Sequence, residues 1–165
     1  MSRRPAAEPV RKIKQRRDGA LAALVAAVPY AAFLGIRFDR RGDELTALLP
    51  FDEALIGQTD PPMLHGGATA AFLEVAAIIE LGWAGLYPRI EAEGTLPEGM
   101  PALARTIDFT VDYLRPGLPR DAYARARVTR AGRRYASVRI AAWQDHRERP
   151  FAEAIGHFLM PAGDG

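Results

Sequence analysis

A histidine, two glycines and a glutamate stand at His65, Gly66, Gly67 and Glu74, in a run that reads Leu-His-Gly-Gly-Ala-Thr-Ala-Ala-Phe-Leu-Glu from Leu64. Two glycines ahead of a helix-forming run describe a tight turn into a helix. The first N–H groups of such a helix have no intrahelical acceptor and sit at the positive end of its dipole, which suits a developing oxyanion. The glutamate supplies the other half of an acyl-transfer chemistry, a carboxylate that takes a proton from water or attacks directly. Its setting is unusual. From Ala68 to Leu86 the only polar residues are Thr69, Glu74 and Glu80, and Glu74 has Ala70, Ala71, Ala77 and Ile78 at three and four residues' spacing. A carboxylate in such company is either neutralised by the fold or put to use in catalysis, and the second is the expectation here.

The rest of the composition narrows the alternatives. Cysteine is absent, which removes disulfides, thiolate metal sites and a cysteine nucleophile, and fits the cytoplasm. Only two serines occur, Ser2 and Ser137, neither in a Gly-x-Ser-x-Gly elbow, so serine-hydrolase chemistry is not expected. His146 and His157 read as structural, and no histidine–carboxylate spacing resembles a metal site. Any hydrolysis would then use a carboxylate, a histidine or a metal, and no bound cofactor is expected.

These residues need elements to hold them. Residues 1 to 28 read as a basic tail followed by an amphipathic helix, Val10 to Val28, that stops before Pro29. Ala32 to Phe38 and Glu44 to Leu49 read as strands around an Asp-Arg-Arg-Gly-Asp turn. Phe51 to Leu64 reads as irregular, with Pro61-Pro62 forbidding regular structure. The buried helix follows and is expected to end near Tyr87-Pro88, with a loop from Glu91 to Pro101. Beyond it the period becomes two. Ile107, Phe109, Val111 and Tyr113 alternate with Thr106, Asp108, Thr110 and Asp112, and further strands follow at Ala122 to Val128, Tyr135 to Trp143 and Phe151 to Met160. Consecutive strands with short turns pair antiparallel, so the expectation for 29–165 is one α+β domain, a curved sheet of five or six strands wrapped around the apolar helix.

The net charge of +2 conceals an asymmetry: Met1 to Asp18 carries seven basic and two acidic residues. No aromatic residue interleaves with these bases, so a solvated helix face rather than a nucleic-acid surface is expected. No membrane span is expected either, because Glu74 and Glu80 interrupt the longest apolar region.

The sequence resembles the hotdog-fold thioesterases, in the branch related to the phenylacetate-pathway acyl-CoA thioesterases. The resemblance covers about residues 29 to 160. It is carried by His65-Gly66-Gly67 with an acid nine residues after the histidine, by Phe33-Leu34-Gly35, by Asp112-Tyr113-Leu114-Arg115-Pro116-Gly117 and by Arg130-Ala131-Gly132-Arg133-Arg134. It implies a central helix held in a five- or six-stranded antiparallel bun, a homodimer or homotetramer, and hydrolysis of acyl-CoA thioesters between subunits. The roles it implies fall on Glu74 as nucleophile or general base and on the Gly66 amide as carbonyl polariser. Gly67 completes the turn, and His65 either orients the thioester or caps it. Arg115, Arg133 and Arg134, with Arg130, are candidates to hold the CoA phosphates. Where the family commonly has an asparagine and a glycine before the histidine, this chain has Asp60-Pro61-Pro62-Met63-Leu64, which leaves Gln58 and Thr59 as candidate replacements.

One physical check bears on the subunit arrangement. Gly66 and Glu74 are eight residues apart, about 12 Å along a helix. One thioester cannot touch both, so if they serve one carbonyl they come from different chains. Two other readings stay open: a non-catalytic acyl-CoA binding or sensing module, and a hydratase or dehydratase of enoyl or hydroxyacyl thioesters. The chemistry of Trp83, Leu86 and Tyr87, at the end of the helix, is that of core or of an acyl pocket.

Overall fold

The computed structural model describes residues 8–96 and 98–162. Its organising element is α3, Gly66–Glu93, 28 residues long, with Phe72, Leu73, Val75, Ala76, Ile79, Trp83, Leu86 and Ile90 in the core. Six strands cover it: β1 (Arg37–Arg41), β2 (Glu44–Leu49), β5 (Arg105–Tyr113), β6 (Ala122–Ala131), β7 (Tyr135–Trp143) and β8 (Ala152–Leu159). They form one antiparallel sheet in the order β1-β2-β6-β7-β8-β5, which is the hotdog arrangement. Alternation explains why β7 and β8 sit as they do. Ala136, Val138, Ile140 and Ala142 of β7, and Ala152, Ala154 and Phe158 of β8, face the helix. Trp83 and Leu86 are fully buried core residues, and the Trp83 indole N–H donates to the Asp43 carbonyl at 3.0 Å.

The N-terminal helix α1, Val10–Ala26, packs on α3 through Ala20, Leu21 and Leu24. Arg17 fixes it, donating two hydrogen bonds of 2.7 and 2.6 Å to the Glu91 carboxylate while its guanidinium lies 5.3 Å from the Tyr87 ring centroid.

Four local expectations are corrected. The stretch 32–38 is not one strand. Pro29 starts a short helix α2, Pro29–Phe33, Gly35 at φ +70 turns the chain, and β1 begins only at Arg37. The long helix does not stop at Pro88. That proline lies on the exposed side, and the buried Ile90 and the Arg17–Glu91 pair hold the last turn to Gly94. The segment before His65 is not irregular throughout. A 3-10 turn, Glu53–Leu55, leads into a small hairpin of β3 (Ile56–Thr59) and β4 (Pro62–Leu64), and Pro62 sits at its strand's first position. The fourth correction concerns β5. Thr106 lies opposite Phe158 and Asp108 opposite His157, so Ile107 is an extra residue in a bulge. The bulge turns Ile107 outward, 53% exposed, and Thr106 inward, the reverse of strict alternation.

Candidate active site

Two backbone hydrogen bonds aim the chain into α3. The Leu64 N–H donates to the Gly117 carbonyl and the His65 N–H to the Leu55 carbonyl, both at 2.8 Å. His65 is the N-cap: its Nδ1 accepts the Gly67 N–H at 2.8 Å. The Tyr113 hydroxyl, at the end of β5, donates to the Gly66 carbonyl at 2.7 Å. The Gly66 N–H makes no hydrogen bond among the described residues. A cleft of about 580 Å³ opens beside it, lined by Gln58, Met63, His65, Gly66, Tyr113 and Arg115 among others.

Glu74 lies two turns further along the helix and half-buried. One carboxylate oxygen, Oε1, accepts a hydrogen bond of 2.5 Å from the Thr106 hydroxyl. Thr106 was not legible as a site residue, because the alternation in sequence puts it on the polar face and only the bulge brings it in. Its sequence signal is nil without the pairing register.

The remaining candidates divide. Arg115 lines the helix-start cleft, and Gln58 lines it while its amide N–H₂ donates to the carbonyls of Asp60 and Pro61 at 3.2 and 3.3 Å. Thr59, exposed at the end of β3, does not line it. Arg133 and Arg134 line a separate groove of about 480 Å³ at the β6–β7 turn, with Arg130, Tyr135, Ser137 and His157. Register places this groove at the Glu74 end of the sheet: Thr106 is opposite Phe158, and Phe158 opposite Ala136. His157 reaches across the same face, with Nδ1 2.6 Å from Oδ1 of Asp108. Among the described residues no cluster of three or more His, Asp or Glu side chains converges as a metal site requires.

The unpaired Gly66 N–H and the Thr106-bonded Glu74 carboxylate thus stand two helical turns apart on α3. Comparison with known proteins gives the family. A family model described as the thioesterase superfamily matches residues 62–151. The medium/long-chain acyl-CoA thioesterase YigI of Salmonella typhimurium is 31% identical over 116 residues, which are 68% of this chain and 74% of that protein. The crystal structure of a Chromobacterium violaceum protein superposes with a TM-score of 0.63 at 33% identity, covering 94% of this chain and 100% of that one. A Bacillus halodurans protein crystallised with CoA shares the fold at a TM-score of 0.62 and 21% identity, covering 96% of this chain and 97% of that one. On the family match and the identity to YigI, the chain belongs to the thioesterase superfamily.

Proposed function

We propose that the protein is an acyl-CoA thioesterase whose active site is completed by a second copy of the chain, with Glu74 from one protomer and the Gly66 N–H from the other. The observation that carries this reading is the construction of β5. It is one of the sheet's two edge strands, β1 being the other, so one side of it has backbone groups unpaired within the described residues. Thr106, which holds Glu74, and Tyr113, which touches Gly66, stand at its two ends. Antiparallel pairing of two β5 edges about a centre between Phe109 and Thr110 puts Thr106 opposite the partner's Tyr113. Glu74 then meets the partner's Gly66, which removes the obstacle of about 12 Å along one helix. The exposed Ile107, Tyr113 and Leu114 at this edge support the same contact.

In that site the thioester carbonyl lies against the Gly66 N–H, which stabilises the oxyanion as charge develops. Glu74 either takes the proton of the attacking water or attacks to give a mixed anhydride that water then cleaves. Both routes break the carbonyl–sulfur bond and release a thiolate, whose low basicity asks little of an acid. His65 and Gly67 shape the turn around the donor. The partner's Gln58 and Arg115, and Thr59 at the hairpin tip, are binding candidates on the donor side. Arg133 and Arg134, at the Glu74 end, are the candidates for the CoA phosphates. A medium or long acyl chain, as the name of YigI gives for that enzyme, is the first substrate class to try, in a cytoplasmic homodimer.

The test is release of free thiol from a panel of acyl-CoAs, read without background because the chain has no cysteine. Glu74→Ala and Gly66→Pro should each be inactive, the second because proline fits the first helical position but lacks the N–H. Mixed and re-annealed, they should recover about a quarter of wild-type activity, since half the dimers are mixed and each mixed dimer has one intact site. No recovery from a mixture shown to contain heterodimer overturns the shared site.

A further inference from the structure

We infer that Tyr113 and Gly57 are positioning residues that hold the His65 ring as a fixed hydrogen-bond donor facing the thioester. This rests on the reading above and goes beyond it, because that reading needs only the Gly66 N–H. His65 Nδ1 accepts a backbone N–H, so that nitrogen presents its lone pair and the ring proton sits on Nε2. The ring has little freedom to turn. A methyl group on Gly57 would lie 2.7 Å from the His65 Cα and 2.9 Å from its Cβ and Cδ2, and one on Gly67 would lie 2.9 Å from Nδ1 and 3.0 Å from Cε1. Both neighbours are bare backbone, and the ring packs on each. The atom left at the tip is Nε2, in a residue that lines the cleft beside the Gly66 N–H. His65 is thus cap and donor at once, through its two nitrogens.

Tyr113 acts on the same peptide group. Its hydroxyl donates to the Gly66 carbonyl, and the N–H of that peptide, on Gly67, donates to His65 Nδ1. Bonds at both ends of one peptide fix its plane and polarise it, which makes the Gly67 N–H a stronger donor to the ring. The Tyr113 ring also lies against Gly66, 3.3 Å from where a Cβ would stand. Because Tyr113 ends β5, the edge strand that would build the dimer also sets the tautomer of the histidine beside the oxyanion donor.

Tyr113→Phe keeps the ring and removes the hydroxyl. Expected is a fall in kcat of about fivefold to tenfold with KM within about twofold, at unchanged Tm and oligomeric state. The reading that a packing role would not move is the two-bond ¹H–¹⁵N spectrum of the histidine rings, which has only His65, His146 and His157 to assign. Wild-type His65 should show the Nε2–H form alone, and Tyr113→Phe should add the Nδ1–H form. A wild-type spectrum with the proton on Nδ1 overturns the inference with no variant needed. So does a Tyr113→Phe protein with unchanged kcat or an unchanged His65 signature. Failure of the wild type to cleave any acyl-CoA would instead sink the proposed function and leave the tautomer measurement standing.

Discussion

Two of the glutamates on α3, Glu74 and Glu80, stand six residues apart, both half-buried among apolar neighbours, and the fold surrounds them differently. Glu80 lies near Asp43 and Glu44 at the start of β2. Burial first, and then these two carboxylates, push its pKa up to about 7. It opens on a cleft of about 570 Å³ that also holds Arg125, Arg127 and Arg139, where β2 pairs with β6 only through Ala47–Leu49. Glu74 has a hydroxyl donor in Thr106, on the edge strand β5. Glu80 has no side-chain hydrogen-bond donor among the described residues and lies by β2, next to the other edge strand, β1. Perturbation alone marks burial among like charges; position beside an open strand and a fixed donor marks the candidate for chemistry.

The contrast breaks most directly at Glu74. Glu74→Ala should lower thioester cleavage about a thousandfold while sedimentation shows an unchanged assembly; comparable activity in the variant would assign the chemistry elsewhere. Thr106→Val tests the donor that distinguishes the two acids, and kcat should fall about tenfold with stability altered by no more than about 1 kcal/mol. Removing Arg133 and Arg134 together should raise KM about fivefold for an acyl-CoA and leave the N-acetylcysteamine thioester, which lacks phosphates, unchanged. An equal effect on both substrates would take the groove out of phosphate binding.

Glu80 should show the opposite behaviour. Its folded value of about 7 lies above the ordinary 4.5, so the native state binds this proton more tightly than the unfolded chain. The contribution is present in full below about pH 4.5 and is lost as pH rises through about 7. Glu80→Gln should therefore stabilise the protein at pH 8 by about 1–3 kcal/mol, leave stability near pH 4 almost unchanged, and keep kcat within about twofold. Denaturant midpoints at the two pH values measure it, and a loss of activity as large as that of Glu74→Ala would erase the distinction.

The apolar helix was legible because eighteen residues with two carboxylates among them cannot be a surface element, and the late strands because strict alternation has no other use. The β1 region misled because Phe33-Leu34 looks like a strand start, whereas Pro29 pre-sets a helical turn and Gly35 ends it. Pro88 misled for a related reason: a proline costs a helix little on its wet side when the next turn has Ile90 to bury. In the site, His65, Gly66, Gly67 and Glu74 were marked by type and spacing. Thr106 was not, since one extra residue in a strand reverses the faces on either side of it.

Local chemistry, then, was determined by the sequence itself: a glycine turn that exposes backbone N–H groups, a histidine placed to cap it, a carboxylate held in an apolar helix and a run of alternating strands. Each depends on residues within a few positions of one another, where spacing along the chain is spacing in space. What only the tertiary structure decided is which long-range neighbour completes each group. The bulge at Ile107 gives Thr106 to Glu74, the end of β5 gives Tyr113 to Gly66, and the acidic corner at Asp43 and Glu44 sets Glu80 apart. These pairings span 32 to 47 residues, and they follow from strand register and the crossing of one helix over a sheet, which local preference does not encode.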